Sequence, residues 1–293
     1  MEPNLVRQVR SFNRAVTQQV GALNDQFLGR GRPLGECRLL YEIGHEGAEI
    51  RRLRSRLELN SGYLSRLLRS LERQGLVAAV PDTTDGRVRQ VRLTREGRRE
   101  LAELDRRSDA FAEGMLAPLN PAQRERLTTA MAVVERLMRA AAIRIEAEPA
   151  GSVAAQICLE HYFHELAERF RAGFDPAQSI SAEPGELTPP RGILLVARSG
   201  GESVGCGALK VNALGFGEIK RMWVAPKARG LGVGRRILET LEAYGRRFGV
   251  SKLRLETNRA LTEAQSLYRA HGYCEVERFN DEPYAHHWFE KSL

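Results

Sequence analysis

The chain has 293 residues, of which 42% are hydrophobic, and this length is enough for two ordinary domains with cores of their own. No run of 18 apolar residues occurs, and the first residues lack the apolar stretch of a signal peptide, so we expect a cytoplasmic protein with no membrane partner. The four cysteines lie far apart without a CxxC pair, which argues against zinc fingers and disulfide frameworks.

The positive charge is concentrated in one part of the chain. The formal net charge is +8, and residues 51–100 alone hold 13 arginines against 6 acidic residues. Such a basic segment suggests a polyanionic partner. The absence of lysine from residues 1–150 is a separate matter, and we attribute it to codon usage in a GC-rich genome.

The stretch "RIEAEPAGSV" ends a helical pattern and contains Pro149 and Gly151, so we predict a boundary between a domain of residues 1–147 and one of residues 148–293. The first domain is expected to be all-α with a β wing. Its predicted helices cover residues 5–23, 33–44, 49–57, 60–74, 96–116 and 121–145, and its hairpin strands cover residues 76–80 and 87–94.

The second domain is predicted to have a mixed α/β fold. A helix over residues 154–173 is followed by a loop over residues 179–192 that is rich in proline, glycine and serine. The remaining predicted strands cover residues 193–199, 202–211, 218–224, 252–258, 273–279 and 286–292, and the remaining helices cover residues 235–248 and 262–272.

The helix predicted after Asn60 has the pattern of a DNA-reading helix. Its leucines form one apolar stripe, and Asn60 can cap it while Gly75 ends it. Short donors near the start and arginines further along suit the major groove. The outward residues proposed to contact DNA are Ser61, Gly62, Tyr63, Ser65, Arg66 and Arg69.

The hairpin that follows would act as a wing. Its arginines, Arg87 and Arg89, suit a minor groove or its phosphates, and Asp82 and Asp85 would hold the turn and the arginines. Helix, turn, helix and hairpin together make a winged helix-turn-helix arrangement. The alternative is a basic helical bundle with solvated arginines.

The stretches "LNSGYLSRLLRSLERQGLV" and "PDTTDGRVRQVRLTREG" resemble the MarR family of winged-helix regulators. The resemblance covers about residues 5–145, and Thr84 stands where the wing pattern of the family has its middle arginine. It implies a homodimer, formed by packing the first helix against the last two, that binds a double-stranded DNA operator.

A second motif, "RGLGVG", runs from Arg229 to Gly234 directly before an apolar helical pattern. Glycines there leave backbone N–H groups uncovered at a helix N-terminus, which carries partial positive charge, so the segment suits a pyrophosphate. The dinucleotide pattern GxGxxG does not fit, and the lysine of a P-loop is missing. The alternative is a glycine loop that serves only as a connection.

The pattern R/Q-x-x-G-x-G, followed by "LETNRALTEAQSLYRAHGY", resembles the GNAT N-acetyltransferases over about residues 153–293. The resemblance implies an α/β fold with a mixed, mainly antiparallel sheet, and acetyl-CoA as cosubstrate. Val224 N–H would stabilise the oxyanion of the reaction. The residues expected to bind the cofactor are Met222, Trp223, Val224, Arg229, Gly230, Leu231, Gly232, Val233, Gly234, Arg235 and Asn258.

The same resemblance assigns two catalytic roles. Tyr268 would protonate the departing thiolate, and Glu218 would take the proton of the amine through water. The alternatives are a packing role for Tyr268 and an ordinary strand-end charge for Glu218. We also predict that Thr262 and Gln265 form a capping box.

The paired histidines, 161 with 164 and 286 with 287, have no carboxylate or thiol set at metal spacing, so we expect structural or substrate-lining roles and no metal. Asp281 and Glu282 are expected to attract a cationic amine. The hypothesis is a bifunctional transcriptional regulator and N-acetyltransferase acting on an unidentified primary amine, in a small molecule or a peptide. The alternative hypothesis is a regulator that senses acetyl-CoA without turnover.

Overall fold

The computed structural model describes residues 2–21, 27–81, 89–171, 173–180, 182–212 and 215–293. The chain divides into two compact units, residues 1–130 and residues 131–293. Among the described residues, no helix is long and apolar enough to cross a membrane.

The first unit is helical with a small antiparallel sheet in the order β1-β3-β2. Its core is a leucine-rich cluster in which Leu39, Leu40 and Leu71 are fully buried. Its elements are α1 (Pro3–Gln19), α2 (Leu34–Ile43), β1 (Ala48–Glu49), α3 (Ile50–Arg56), α4 (Ser61–Arg73), β2 (Val77–Pro81), β3 (Arg89–Leu93), α5 (Arg95–Leu116) and the start of α6 (Pro121–Ala142).

Helix α4 forms as its sequence predicts. The Asn60 side chain accepts a hydrogen bond from Tyr63 N (2.8 Å) and caps the helix, and Gly75 follows it with a φ of 69°. Its four leucines are buried in the core of the unit. The opposite face of α4 is therefore left to solvent and to partners.

The second unit has a seven-stranded sheet in the order β4-β5-β6-β7-β8-β10-β9. Neighbouring strands are antiparallel except for the parallel pair β7 and β8. The predicted fold class is confirmed. The elements are β4 (Arg144–Ala147), α7 (Val153–Arg169), β5 (Gly192–Ser199), β6 (Glu202–Val211), β7 (Phe216–Val224), α8 (Val233–Arg247), β8 (Lys252–Thr257), α9 (Thr262–Ala270), β9 (Cys274–Val276) and β10 (His287–Ser292).

The sheet opens between β7 and β8. These strands pair only through residues 216–218 of β7, although β7 continues to Val224. Further along β7, Arg221 has a φ of 56°, and Arg221 and Met222 together oppose the single residue Gly207 of β6. This is a β-bulge, and it redirects the β7 side chains at the opening. A Cβ at Gly207 would lie 2.5 Å from Ile237 Cγ2 and 2.6 Å from Met222 Sδ, so a larger residue there would force these side chains to shift.

Two predictions of local structure are wrong. The last helix of the first domain was expected to reach Ile145, but α6 ends at Ala142 and residues 144–147 form β4, which pairs with β5. A boundary after residue 147 would separate β4 from its sheet. The predicted capping box is also absent, because Leu261 is the N-cap of α9 and Gln265 donates to Asn258 O (3.2 Å) instead.

Candidate functional site

The glycine loop leads into α8 with the geometry of an anion site. Gly230 and Gly232 have φ values of 74° and 72°, a left-handed conformation that favours glycine. Gly232 is the N-cap of α8 and provides no side-chain cap. The N–H groups of the first helical turn thus lack side-chain cover, and a Cβ at Gly230 would meet nothing within 4 Å.

The third glycine of the loop has a packing role. A Cβ at Gly234 would lie 3.4 Å from Leu267 and 3.6 Å from Val224, so a small residue lets α8 approach both α9 and β7. Leu231 and Val233 also pack on the core of the second unit, whereas the Arg235 side chain is exposed. The loop therefore has a buried apolar side and an open side with positive charge.

Arg229 is held in place at the end of β7. Its guanidinium donates to Val224 O (3.1 Å) and to both oxygens of Glu165 on α7 (2.6 Å each). Glu165 also accepts from Trp223 Nε1 (2.9 Å). Burial alone would raise the pKa of the Glu165 carboxyl, but the hydrogen bonds from Arg229 and Trp223 outweigh it, and its pKa is lowered. The Trp223 side chain thus contacts α7.

The backbone of β7 faces the opening at Val224. Ala225 N donates to Val204 O (2.9 Å), and residues 224 and 205 form the next pair of the ladder. Because bonded and non-bonded pairs alternate between antiparallel strands, Val224 directs its N–H and C=O away from β6. Val224 O already accepts from Arg229, so the Val224 N–H is the group that could pair with an extended ligand lying along β7 as an added strand.

The opening leads into a cavity with a volume of about 100 Å³. Of the predicted site residues, Met222, Asn258 and Tyr268 line this cavity. The lining from the strands at the opening comes from Ile219, Lys220, Arg221, Met222, Glu256 and Thr257.

Tyr268 lies on α9 and is 5% exposed, with its ring near Tyr273 and Phe289. Burial first, and then the nearby Glu256 carboxylate, raises the pKa of Tyr268, so its hydroxyl keeps its proton at neutral pH. Burial and the neighbouring Tyr268 likewise raise the pKa of Tyr162, which lines the same cavity. Sequence reasoning missed Tyr162, since nothing in "EHYFHE" marks one aromatic residue as facing a cavity.

Glu218 lies where β7 and β8 are still paired, outside the cavity lining. It forms an ion pair with Lys220 (3.4 Å), which also pairs with Glu256. Burial would lower the pKa of Lys220, but Glu256 and Glu218 raise it, and the net change is upward. Of these charged residues, Glu256 is the carboxylate that lines the cavity. Side chains two positions apart on a strand point to the same face, so the spacing between Glu256 and Asn258 could have predicted this from the sequence.

Asn258 holds the chain after β8. Its Nδ2 donates to Tyr284 O (2.7 Å), and its Oδ1 accepts from Ala260 N (2.9 Å). Asn258 is 8% exposed at the cavity wall. Its side chain therefore fixes the turn into α9, which carries Tyr268.

The acidic residues expected to attract an amine are already paired. Glu282 is 7% exposed, and its carboxylate accepts from Ser179 Oγ (3.0 Å) and Ile180 N (2.6 Å). Asp281 is exposed and pairs with Arg278 (2.7 Å). Both carboxylates therefore already have partners, and their attraction of the amine stays a prediction.

The histidines have ordinary surroundings. His161 stacks on Trp223 with ring centroids 5.6 Å apart, and His287 pairs with Glu275 (2.6 Å). Within the part of the chain that the structure describes, no group of three or more histidine, cysteine or acidic residues could hold a metal ion.

The residues predicted to contact DNA lie on the exposed face of α4. Ser61, Gly62, Ser65, Arg66 and Arg69 are exposed. Tyr63 is 38% exposed, and its hydroxyl would lie 2.9 Å from a Cβ at Gly35 of α2, so it also packs locally. Arg89 is exposed at the start of β3, whereas Asp82, Thr84, Asp85 and Arg87 lie outside the described residues.

Comparisons with known proteins agree with the division of the chain into two units. Residues 135–273 match the acetyltransferase (GNAT) family model, and residues 30–88 match the MarR family model. The chain is 40% identical over 113 residues to an IAA acetyltransferase of Azospirillum brasilense, an overlap of 38% of this chain and 74% of that protein.

Two further proteins are similar to the chain. An uncharacterized N-acetyltransferase of Schizosaccharomyces pombe is 36% identical over 97 residues, which are 32% of this chain and 60% of that protein. The solved structure of a GNAT-family acetyltransferase from Staphylococcus aureus is 17% identical, with a TM-score of 0.46 over 52% of this chain and 99% of that chain. The chain belongs to the GNAT acetyltransferase family and carries a MarR-family segment ahead of its acetyltransferase domain.

Proposed function

We propose that the chain is an acetyl-CoA-dependent N-acetyltransferase for a primary amine, joined to a dimeric DNA-binding regulator. The observation that carries the enzymatic part is the uncapped, glycine-lined start of α8 beside the opening between β7 and β8, which leads to the buried Tyr268. The loop fits a diphosphate, since Gly230 leaves open space and a Cβ at Gly232 would meet only the Arg235 guanidinium, at 3.8 Å.

Each group at the opening has a specific role in this proposal. The N–H groups at the start of α8 bind the diphosphate of acetyl-CoA, with Arg235 beside them. The edge of β7 pairs with the pantetheine arm, and Val224 N–H stabilises negative charge on the thioester oxygen. Tyr268, whose pKa is raised, donates a proton to the departing thiolate.

The amine must lose a proton in order to attack, and two carboxylates around Lys220 are candidates to accept it. We propose Glu256 as the acceptor, acting through water, because it lines the cavity. Glu218 was predicted from the sequence for this role, and it contacts the same lysine from outside the lining. Replacing each by glutamine separates the two assignments.

The experiment measures thiol release by the full chain with acetyl-CoA and a panel of primary amines. We expect Glu256→Gln to lower kcat by about 10²-fold or more, the usual size of a general-base contribution. We expect Glu218→Gln to be nearly neutral. Saturable acetyl-CoA binding with no thiol released for any amine would instead favour a regulator that senses acetyl-CoA without turnover.

For the first unit, we propose a homodimer that binds a double-stranded DNA operator through the exposed face of α4. Support comes from large apolar side chains that remain exposed on α1, among them Leu5 and Val9, at 57% and 58% exposure. A second copy of the chain would cover them. Sedimentation and operator binding by the full chain test this part, and a monomer without affinity for any DNA fragment would contradict it.

A further inference from the structure

The cavity has an aromatic wall, formed by Phe163 of α7, by Phe170 and Phe174 after it, and by Tyr284 before β10. Phe163 and Phe174 are stacked with centroids 5.8 Å apart, and Phe170 meets Phe174 edge-on at 5.8 Å. Tyr284 lies 4.8 Å from Phe174. Rings at such spacings form a surface on which a further flat ring can stack or dock by its edge.

This aromatic wall lies on the acceptor side of the proposed reaction. The coenzyme would run from the start of α8 along the edge of β7, so β7 and Tyr268 border the thioester. The aromatic wall is instead built by α7, by the segment after it and by the segment before β10. It is therefore left for the group that carries the amine.

The charges of the lining are equal in number, and both carboxylates already have partners. Two cationic residues, Lys220 and Arg221, and two acidic ones, Glu256 and Glu282, line the cavity. Lys220 pairs with Glu256, and Glu282 is bonded to Ser179 and to the Ile180 backbone. The described lining thus offers no surplus negative charge for a molecule with several ammonium groups, such as a polyamine or an aminoglycoside.

Hydrogen bonds to residues 282–284 fix the segment over residues 173–180 and so hold the aromatic wall in place. Asp175 N donates to the Tyr284 hydroxyl (3.0 Å), and Glu282 binds Ser179 and Ile180. These three hydrogen bonds connect the segment to residues 282–284. They keep Phe174 against Tyr284 and shield a bound apolar group from water.

We propose that the acceptor is an arylalkylamine, a primary amine joined by a short linker to a flat aromatic ring; this inference rests on the proposed acetyl transfer. The ring docks on the aromatic wall and the amine points toward β7. The amine first loses one proton to Glu256 through water, and the neutral nitrogen then forms the new bond to the thioester carbon as the carbon–sulfur bond breaks. Tyr268 gives its proton to the thiolate and regains one from the acetylated nitrogen, while the proton on Glu256 passes to solvent. The products are the N-acetyl amine and CoA.

The experiment compares 2-phenylethylamine, hexylamine and spermidine as acceptors for the full chain with saturating acetyl-CoA. We expect kcat/KM for 2-phenylethylamine to exceed that for hexylamine by about tenfold or more, since pocket contacts discriminate on this scale. Spermidine should be the poorest acceptor. Faster turnover of spermidine or hexylamine would overturn this inference and leave the proposed acetyl transfer standing.

Substitutions in the aromatic wall test whether it is the site that binds the ring of the amine. Phe174→Leu and Phe163→Leu should each raise KM for 2-phenylethylamine about tenfold and change hexylamine turnover little. Phe279→Leu is the matched control, because Phe279 is partly buried outside the cavity lining. Equal losses for both amines would contradict a ring site. Thiol release with none of the three amines, despite intact acetyl-CoA binding, would overturn the proposed acetyl transfer as well.

Discussion

Replacing Tyr268 by phenylalanine tests the proposed acid with little disturbance of the fold. The ring keeps its neighbours Tyr273 and Phe289 at centroid distances of 5.9 and 6.0 Å. The described residues include no hydrogen-bond partner for the Tyr268 hydroxyl, so its removal should change the free energy of unfolding by less than about 1 kcal/mol. Loss of a general acid should lower kcat about 100-fold, which corresponds to about 2.7 kcal/mol in the barrier.

The assay follows thiol release at saturating acetyl-CoA, with thermal unfolding and acetyl-CoA affinity measured beside it. Tyr273→Phe is the control, because Tyr273 is equally buried next to Tyr268 but does not line the cavity. A kcat for Tyr268→Phe within threefold of the parent value would refute the assignment. If Tyr162→Phe then lost activity instead, the proton donor would be Tyr162.

Three further predictions concern titration, thiol reactivity and DNA. Because the pKa of Tyr268 is raised above its ordinary value of 10.0, its hydroxyl stays protonated below pH 10.0. The pH–rate profile should therefore show no descending limb from this group below pH 10.0. A fall in rate centred near pH 8 would contradict the assignment of Tyr268 as the acid. In the native chain one thiol should react with a thiol reagent, since Cys274 is exposed and the other three cysteines are buried. Cys274→Ser should abolish that reaction. Fast reaction of a second thiol would show that the core opens. Arg66→Ala should weaken operator binding and reduce the slope of log affinity against log salt concentration by about one. Arg99→Ala on α5 should change neither. Equal effects of the two substitutions would place the DNA contact elsewhere.

Local patterns predicted most of the helices and strands. Helix α4 could be placed because its leucine spacing, its Asn60 cap and the Gly75 stop all agree. Strand β4 could not, since four residues are too few to show an alternation and they follow a helical pattern directly. Its pairing with β5, a contact distant in sequence, decides its structure.

The candidate site was predictable where its residues are adjacent in sequence. The glycine loop and Tyr268 belong to short motifs, and in the structure the loop leads into α8 while Tyr268 lies buried on α9. Glu165 could not be predicted, because its contacts with Arg229 and Trp223 join residues more than 50 positions apart. The same holds for the aromatic wall, which comes from segments that only the folded sheet and α7 bring together.

The central claim is that the uncapped start of α8 binds the diphosphate of acetyl-CoA, and titration calorimetry with a charge introduced at Gly232 tests it most directly. Aspartate tolerates the left-handed conformation and can cap a helix, so Gly232→Asp should stay folded while repelling the phosphates. Gly249→Asp is the matched control, because Gly249 follows the other end of α8 with a φ of 75° and open space around its Cβ position. The account predicts saturable binding by the parent chain and by Gly249→Asp, with affinity at least tenfold weaker in Gly232→Asp. Equal affinity in all three, or no saturable binding by the parent chain, would contradict it.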